Sequence, residues 1–437
     1  VEPRILERAA HPISRRNIDP NVLKVLYRLI NAGHVAYLVG GGVRDLMLDR
    51  RPKDFDLGTS AHPQQVRDLF RNSRLIGRRF RLAHVFFGGQ NIEVATFRRR
   101  SEIEPHDDDP LIRQDNTFGT PEEDALRRDF TINSLFYDPR TFQVIDYVGG
   151  LADLEARVIR TVSDPEVRMR EDPVRMIRAV RFAAKLGFAI EPATRSAIHT
   201  YREDLLKSST PRLVEEIFRT FSAAPPARAL VLLKELGLLD VALPFLSEHL
   251  RAGDLPLAQS ATVRNLAILE RAMSGGLDPS RAFTLACLFT DLHLSLQKHP
   301  PQSPRIELHE ELRTRGFPRG ETERMRLLLN ALSRLMNPAG RLRGMQRRPY
   351  FVEAKALHDL LAAGYPAAET ASVAEPHKKR RRRSSRRRRR RSPINGHPIN
   401  GHPLDGHPMD GHPPAIQEAA VAASGSEPEP RIERELK

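Results

Sequence analysis

From Asn21 to Gly33 apolar residues recur at Val22, Leu26, Leu29 and Ile30 with polar residues between them, the spacing of an amphipathic helix. The next run, Val35–Val39, is short, apolar and closed by glycine, which predicts a buried strand. Gly40, Gly41 and Gly42 end it, and a leucine-rich helical pattern follows from Val43. Asp54–Thr59 reads as a second strand and His62–Arg71 as a short helix. Leu75–Gly88 and Asn91–Phe97 read as a β-hairpin joined by a glycine turn. Between Arg98 and Asp124 the pattern breaks down into a charged, irregular stretch, longer than ordinary connections. Strand character returns at Arg128–Tyr137 and Gln143–Tyr147, whereas Val1–Pro20 is polar and predicts a loose arm.

After Gly150 the period changes. Asp172–Lys185, Thr210–Ala223, Ala227–Leu238, Val263–Met273, Arg281–Leu294 and Glu321–Met336 all carry helical spacing. No internal repeat of roughly 20–50 residues marks this half as a solenoid. Order is expected to end near Tyr365. An arginine block follows, then a five-residue Gly-His-Pro repeat from Ile394 to Pro413, too rich in Gly and Pro to build a core. The prediction is an α+β chain: a small mixed sheet in a head at 21–150, an all-helical neck at 151–223, a helical body and tail at 224–365, and a disordered basic C-terminus at 366–437.

Charge changes this picture in one place. Of 70 basic residues, 12 lie in Lys378–Arg391, and without them 58 basic residues face 55 acidic ones. The folded part is nearly neutral, so any nucleic-acid surface on it must be a local patch. A single cysteine, Cys287 in the apolar run AFTLACLF, excludes an intramolecular disulfide framework and predicts a packing role. No secretory signal and no run of about 18 apolar residues appear, which predicts a cytoplasmic protein without a membrane span.

The chemistry concentrates in a few motifs. Glycines at a strand-to-helix turn let backbone N–H groups approach a phosphate, so Gly40, Gly41 and Gly42, with Arg44, are candidate triphosphate contacts. Asp54 and Asp56 stand two apart in KDFDLGT, and on a strand both would face one side and could hold a pair of Mg²⁺ or Mn²⁺ ions. In RRDFTINSLFYD, Arg127 and Arg128 are suited to phosphate, Asn133 to a ribose hydroxyl, and Asp129 to a third catalytic carboxylate, with Glu93 as its rival. The turn DYVGGLADL, with Asp146, Gly149, Gly150 and Asp153, fits a structural corner at least as well as a ligand contact. In REDPVRMIRAVRFAAKLG, Asp172 and Arg175 are three apart, so one helix face would offer an acceptor beside a fork of donors, able to read a base edge. Arg178, Arg181 and Lys185 give that helix a basic flank. Arg78, Arg79 and Arg81, interleaved with Phe80 and Leu82, read as a basic strand facing RNA or triphosphate. Lys378, Lys379, Arg380 and Arg386 sample the basic run as further RNA contacts.

Taken in order, LVGGGVRD, KDFDLGT, EVATFR, RRDFTINSLFYD, DYVGGLADL and REDPVRMIRAVRFAAKLG resemble the bacterial tRNA nucleotidyltransferase/poly(A) polymerase superfamily, densely from Ala36 to Phe188 and loosely to about Tyr365. Gly77–Val85 and Gly119–Asp138 look like the poly(A) polymerase branch. The resemblance implies a nucleotidyltransferase head with a five-stranded sheet, metal binding by Asp54 and Asp56, and base selection by the Asp172/Arg175 helix. It further implies ATP as substrate, RNA 3′ ends as partners, and polyadenylation that hands RNA to the decay machinery, by a monomer. The expected activity is that of an ATP:RNA adenylyltransferase. A CCA-adding tRNA nucleotidyltransferase is the near rival. A non-catalytic RNA-binding protein is the distant one, disfavoured because both metal-site aspartates are present.

Overall fold

Strand pairing decides what the head of this chain can do, because it sets which side chains share a face. The computed structural model describes residues 2–77, 82–87, 89–99, 117–253, 255–298, 307–337 and 344–364. The head sheet is built from β1 (Arg4–Leu6), β2 (Ala36–Val39), β3 (Asp56–Thr59), β4 (Ser73–Ile76), β5 (Leu82–Phe87), β6 (Gln90–Thr96), β7 (Leu135–Asp138) and β8 (Gln143–Asp146). Their order is β1-β8-β7-β2-β3-β6-β5-β4. Every pair is antiparallel except β3 with β6, so the sheet is mixed as expected.

It has eight strands among the described residues rather than five, and two of them were not read from the sequence. The arm is not loose: Arg4–Leu6 pairs with β8, and Ile13 and Ile18 are buried, so two apolar anchors in a polar segment fasten it to the core. The stretch Leu75–Gly88 is not one strand either. Its ends belong to β4 and β5, which pair antiparallel, and only β5 and β6 form the expected hairpin.

Helices α1 (Pro20–Asn31), α2 (Gly41–Met47), α3 (Pro63–Leu69) and α4 (Pro121–Arg127) complete the head. Asp19 caps α1 by accepting the Asn21 N–H at 2.7 Å, proline sits in the first turn, and Gly33 at φ +87° turns the chain into β2. Part of the irregular stretch is α4, started by a reciprocal capping box between Thr120 and Glu123. The arginines at 78, 79 and 81 and most of the Arg98–Asp124 stretch lie outside the described residues, as do the basic run and the Gly-His-Pro repeat.

One cross-strand row runs the full width of the sheet: Ile5, Ile145, Phe136, Val39, Asp56, Glu93, His84 and Arg74 are direct partners in sequence. Its apolar half is covered where Ala125 of α4 packs with Val39, Phe136, Ile145 and Phe97. Its polar half, from Asp56 outward, is left open. The opposite face buries Leu38, Leu57, Val85, Ile92 and Val94 in the main core.

Beyond the head the chain is helical. α5 (Gly150–Ala156), α6 (Pro165–Glu171), α7 (Val174–Leu186), α8 (Pro192–Tyr201) and α9 (Thr210–Ala223) come first. α10 (Pro226–Glu235), α11 (Leu238–Ala242), α12 (Pro244–Ala252), α13 (Ala261–Ser274), α14 (Arg281–Lys298), α15 (Leu308–Thr314), α16 (Arg319–Leu335) and α17 (Phe351–Gly364) follow. A two-residue parallel ladder, Val158–Ile159 with Ala189–Ile190, and an antiparallel bridge from Thr161 back to Phe130 interrupt the helices. Cys287 is fully buried in α14, where desolvation pushes its thiol far above the ordinary range and leaves it inert as a nucleophile. One continuous hydrophobic core runs from Ile13 through the back of the sheet to Leu361.

Candidate active site

The site begins where β2 ends. Gly40 takes φ +69° and ψ −132°, and a Cβ there would lie 2.9 Å from the Arg128 guanidinium, so the turn and that arginine require glycine. Arg44, in the short helix after the turn, is buried rather than open to a ligand. It donates to Asp45 at 2.8 and 2.6 Å and to the Asn133 side-chain oxygen at 2.5 Å. Asn133 in turn donates to Asp129 at 3.1 Å, and Arg178 donates to the other Asp129 oxygen at 2.9 and 2.5 Å. Glu216 of α9 ends the chain, accepting from Arg181 at 2.5 Å and standing 3.8 Å from Arg178. These links tie the glycine turn to α7 and α9. Burial pushes the Asp129 carboxyl up, but Arg178, with Asn133 and the Phe130 amide, overrides it and holds the group far below the usual carboxylate range.

A cleft of about 1450 Å³ opens beside this chain. Asp54, Asp56 and Glu93 line one wall, and Arg181, Lys185 and Arg219 from α7 and α9 line another, with Arg16, Arg50, Arg51 and Lys53 at its margin. Asp129 does not line it. Asp56 opens β3 and Asp54 precedes the strand, so the two are not ladder neighbours on one face as expected; the ladder neighbour of Asp56 is Glu93. Asp56 keeps an exposed surface, but its place between the cleft walls desolvates the carboxyl and pushes it up, Glu93 and then Asp54 add repulsion, and Arg128 opposes them. Adjacent carboxylates that repel one another across a basic cleft are a hard-oxygen donor set short of positive charge, and Mg²⁺ or Mn²⁺ fits that chemistry. Among the described residues no three acidic, His or Cys side chains converge to chelating distance.

Asp172 and Arg175 do not share one helix face. The helix breaks at Asp172, which takes φ −148° and caps α6, while Pro173 starts α7. Proline interrupts the α-helical run and leaves one tight turn, in which the Arg175 N–H donates to the Asp172 carbonyl at 2.9 Å. Arg175 donates to the Arg168 carbonyl at 2.8 Å and to Glu171 at 3.2 Å, and Asp172 accepts from Arg212 at 2.8 Å. One Asp172 oxygen is buried with no protein partner, a free acceptor beside α7. Arg168 binds the Arg127 carbonyl at 2.5 Å and the Arg128 carbonyl at 2.6 Å, fastening α6 to the end of α4. Arg128 bonds Asp124 at 2.8 Å, and Arg127 stands 3.8 Å from the same carboxylate. The DYVGGLADL turn is a corner: Asp146 accepts the N–H groups of Val148, Gly150 and Leu151, and a Cβ on Gly150 would meet the Thr131 carbonyl at 2.2 Å.

Sequence reasoning missed Glu216, Arg168 and Arg219. The signal for Glu216 was an acidic residue within the apolar stripe of α9, among Val214, Ile217 and Phe218. Arg219 and Arg16 carried no local signal, since only folding brings them to the cleft.

A mixed sheet with a glycine turn, open carboxylates on its central strands and a helical array behind it defines a nucleotidyltransferase head on an α-helical partner. Residues 36–160 match the poly A polymerase head domain, and residues 187–250 match a probable RNA and SrmB-binding site of polymerase A. Poly(A) polymerase I of Salmonella typhi is 46% identical over 292 residues, 65% of this chain and 63% of that protein. Poly(A) polymerase I of Escherichia coli O157:H7 is 50% identical over 261 residues, 58% of this chain and 56% of that protein. The chain thus spans about 56–63% of the length of these relatives. A crystal structure of the Bacillus stearothermophilus CCA-adding enzyme in complex with CTP superposes with a TM-score of 0.63 at 29% identity, covering 82% of each chain. The head of the chain is thus similar to that of poly(A) polymerases, and its fold to that of a CCA-adding enzyme.

Proposed function

We propose that this protein is a template-independent ATP:RNA adenylyltransferase that extends RNA 3′ ends with poly(A) and so marks transcripts for decay, acting as a cytoplasmic monomer. No helix among the described residues is long and apolar enough to cross a membrane. The observation that carries the reading is the in-register pair Asp56 and Glu93, facing a cleft whose far wall is basic. The match of residues 36–160 to the poly A polymerase head domain and the similarity to two poly(A) polymerases I support the choice of activity.

Asp54, Asp56 and Glu93 would hold divalent ions, Mg²⁺ or Mn²⁺. Glu93 replaces Asp129 as the third carboxylate, because Asp129 is committed to Arg178 and Asn133. Bound ions lower the pKa of the attacking hydroxyl and stabilise the leaving oxyanion. The 3′-hydroxyl oxygen forms a bond to the α-phosphorus of ATP, the bond from that phosphorus to the β-phosphate bridging oxygen breaks, and pyrophosphate leaves as the hydroxyl proton passes to solvent. Arg181, Lys185 and Arg219 offset the charge of the triphosphate and RNA phosphates. Gly40, Gly41 and Gly42 let the backbone approach the triphosphate. Arg44, Asn133 and Arg178 hold the turn against α7, and Arg127 and Arg128 close the site from the α4 side. Arg175 and the free Asp172 oxygen would read the base edge.

The test is incorporation of ATP and of CTP by purified protein on an RNA primer and on a tRNA lacking its terminal CCA. Runs of adenylate on the general primer are expected. Addition of C, C and A confined to the tRNA would favour a CCA-adding enzyme, a reading supported by the structural likeness at 29% identity. No incorporation on either would overturn both.

A further inference from the structure

The row that carries Asp56 and Glu93 does not stop at them. It continues through His84 on β5 to Arg74 on β4, the outer strand of the sheet. Three strand spacings separate Asp56 from Arg74, roughly 14 Å. At that edge lies a hollow of about 440 Å³ lined by Arg71, Asn72, Ser73, Arg74 and Phe86. Phe86 is 38% exposed, and the Arg74 guanidinium stands 6.0 Å from its ring centre. The backbone that carries the ring is fixed to Asn72. The Phe86 backbone N–H donates to the Asn72 carbonyl at 2.9 Å, and the Asn72 side-chain amide donates back to the Phe86 carbonyl. Neither Arg71 nor Arg74 has a carboxylate partner among the described residues. An exposed aromatic face beside two unneutralised guanidinium groups is the chemistry that takes a nucleobase on the ring and phosphates on the flanks.

We propose that this β4–β5 ledge binds single-stranded RNA a few nucleotides upstream of its 3′ end. Phe86 stacks a base, Arg71 and Arg74 hold phosphates, and the open polar half of the row leads the strand to the carboxylates. The proposal rests on the adenylyl-transfer reading for what lies at the other end of the row. It goes beyond that reading in giving the primer a second contact on the head, away from the helices. The site lies next to the arginines at 78, 79 and 81 in sequence but uses none of them.

Phe86 and the two arginines are exposed, so Phe86→Ala and the double variant Arg71→Ala/Arg74→Ala leave the core intact, checked by Tm. Their affinity for an oligoadenylate of about 15 nucleotides and for a trinucleotide is measured by fluorescence anisotropy at several salt concentrations in the full chain. Kinetics of ATP incorporation are followed on both primers. Loss of one stacked base weakens binding roughly fivefold to a hundredfold. Phe86→Ala should therefore weaken the long primer by that factor and raise its KM. Its kcat, the KM for ATP and incorporation on the trinucleotide should stay unchanged, and Phe86→Trp should restore affinity. The double arginine variant should flatten the salt slope for the long primer by about one unit, since each single-strand phosphate contributes about 0.7. Wild-type affinity for the long primer in Phe86→Ala, at matched salt, overturns the proposal. An unaltered chain that incorporates nothing, while Phe86→Ala still weakens binding, supports the ledge and strikes only the adenylyl-transfer reading.

Discussion

Asp56 and Asp129 are both acidic groups in the head, yet the structure places them under opposite electrostatic regimes. Asp56 is pushed up by desolvation within the cleft and by Glu93, so the metal-free protein carries a repulsion that folding must overcome. Asp56→Asn removes it. The variant should lose at least about a thousandfold in adenylate transfer, a share of several kcal/mol of transition-state stabilisation, while its Tm in EDTA stays level or rises. A fall in Tm would mean that Asp56 is a structural carboxylate. Asp129 is the reverse case. Its folded pKa is depressed, so its contribution to stability is fully present above the unfolded value near 3.9 and is lost as pH falls below that toward the folded value. Asp129→Asn should cost about 3 kcal/mol at pH 7, the low end for breaking a buried pair, since Glu216 still faces Arg178. It should also abolish the extra loss of stability below about pH 4. Urea unfolding at pH 7 and pH 3.5 gives both numbers. Glu93→Gln should do the opposite, losing transfer with little change in unfolding. If Asp129→Asn unfolds like wild type at pH 7 but transfers nothing, Asp129 is the third carboxylate after all.

At the scale of elements, what could be read in advance was whatever depends on neighbours in sequence. The helices Thr210–Ala223, Pro226–Glu235, Ala261–Ser274, Arg281–Lys298 and Arg319–Leu335 carry their apolar stripes openly, whereas the short Leu238–Ala242, Pro244–Ala252 and Leu308–Thr314 do not, and Val35–Val39 and the glycine turn announce themselves by composition. What could not be read was register. Nothing local to Glu93 shows that it lies opposite Asp56, because a parallel pair is set by the crossover through β4 and β5 and not by spacing along the chain. The anchoring of Arg4–Leu6 to β8 was hidden in the same way, by a partner about 140 residues away in the ladder. The motif around Asp172 was legible as chemistry but not as geometry. Pro173 splits it between two helices, and Arg168 and Glu171, not Asp172, hold the Arg175 side chain. This geometry still presents Arg175 beside a free Asp172 oxygen, so its role in choosing the base can be tested. Loss of a polar pair that reads a base edge costs about 1–3 kcal/mol of discrimination. Arg175→Ala should narrow the ratio of kcat/KM for ATP over CTP by roughly tenfold to a hundredfold. If the ratio holds and only Tm falls, Arg175 is simply the partner of Glu171 in a structural joint.

For the whole molecule, charge is distributed so that chemistry and RNA capture are separable. Residues Val1–Glu375 form one compact unit that contains the sheet, the cleft and the helices, and apart from 12 of its basic residues the full chain is close to neutral. Those 12 sit together in Lys378–Arg391, including Lys378, Lys379, Arg380 and Arg386. A cleft with local basic walls needs no help to hold a triphosphate, but long RNA is gathered by total phosphate neutralisation, and each neutralised single-strand phosphate steepens the dependence of log K on log salt by about 0.7. Deleting the chain from Pro376 onward should therefore leave Tm and incorporation on a trinucleotide nearly unchanged, while weakening long-RNA binding and flattening its salt slope. If half of the run engages RNA, six phosphates, the slope changes by about four units, well above the roughly one unit expected from the ledge arginines. The two effects can be separated in one series: salt titrations of full-length, truncated, Arg71→Ala/Arg74→Ala and combined variants on the same oligoadenylate. Additive slopes would show that the ledge and the run bind different phosphates of one strand. Parallel log–log lines for full-length and truncated protein would mean that the basic run does not touch RNA, and an anionic protein partner would become its target instead.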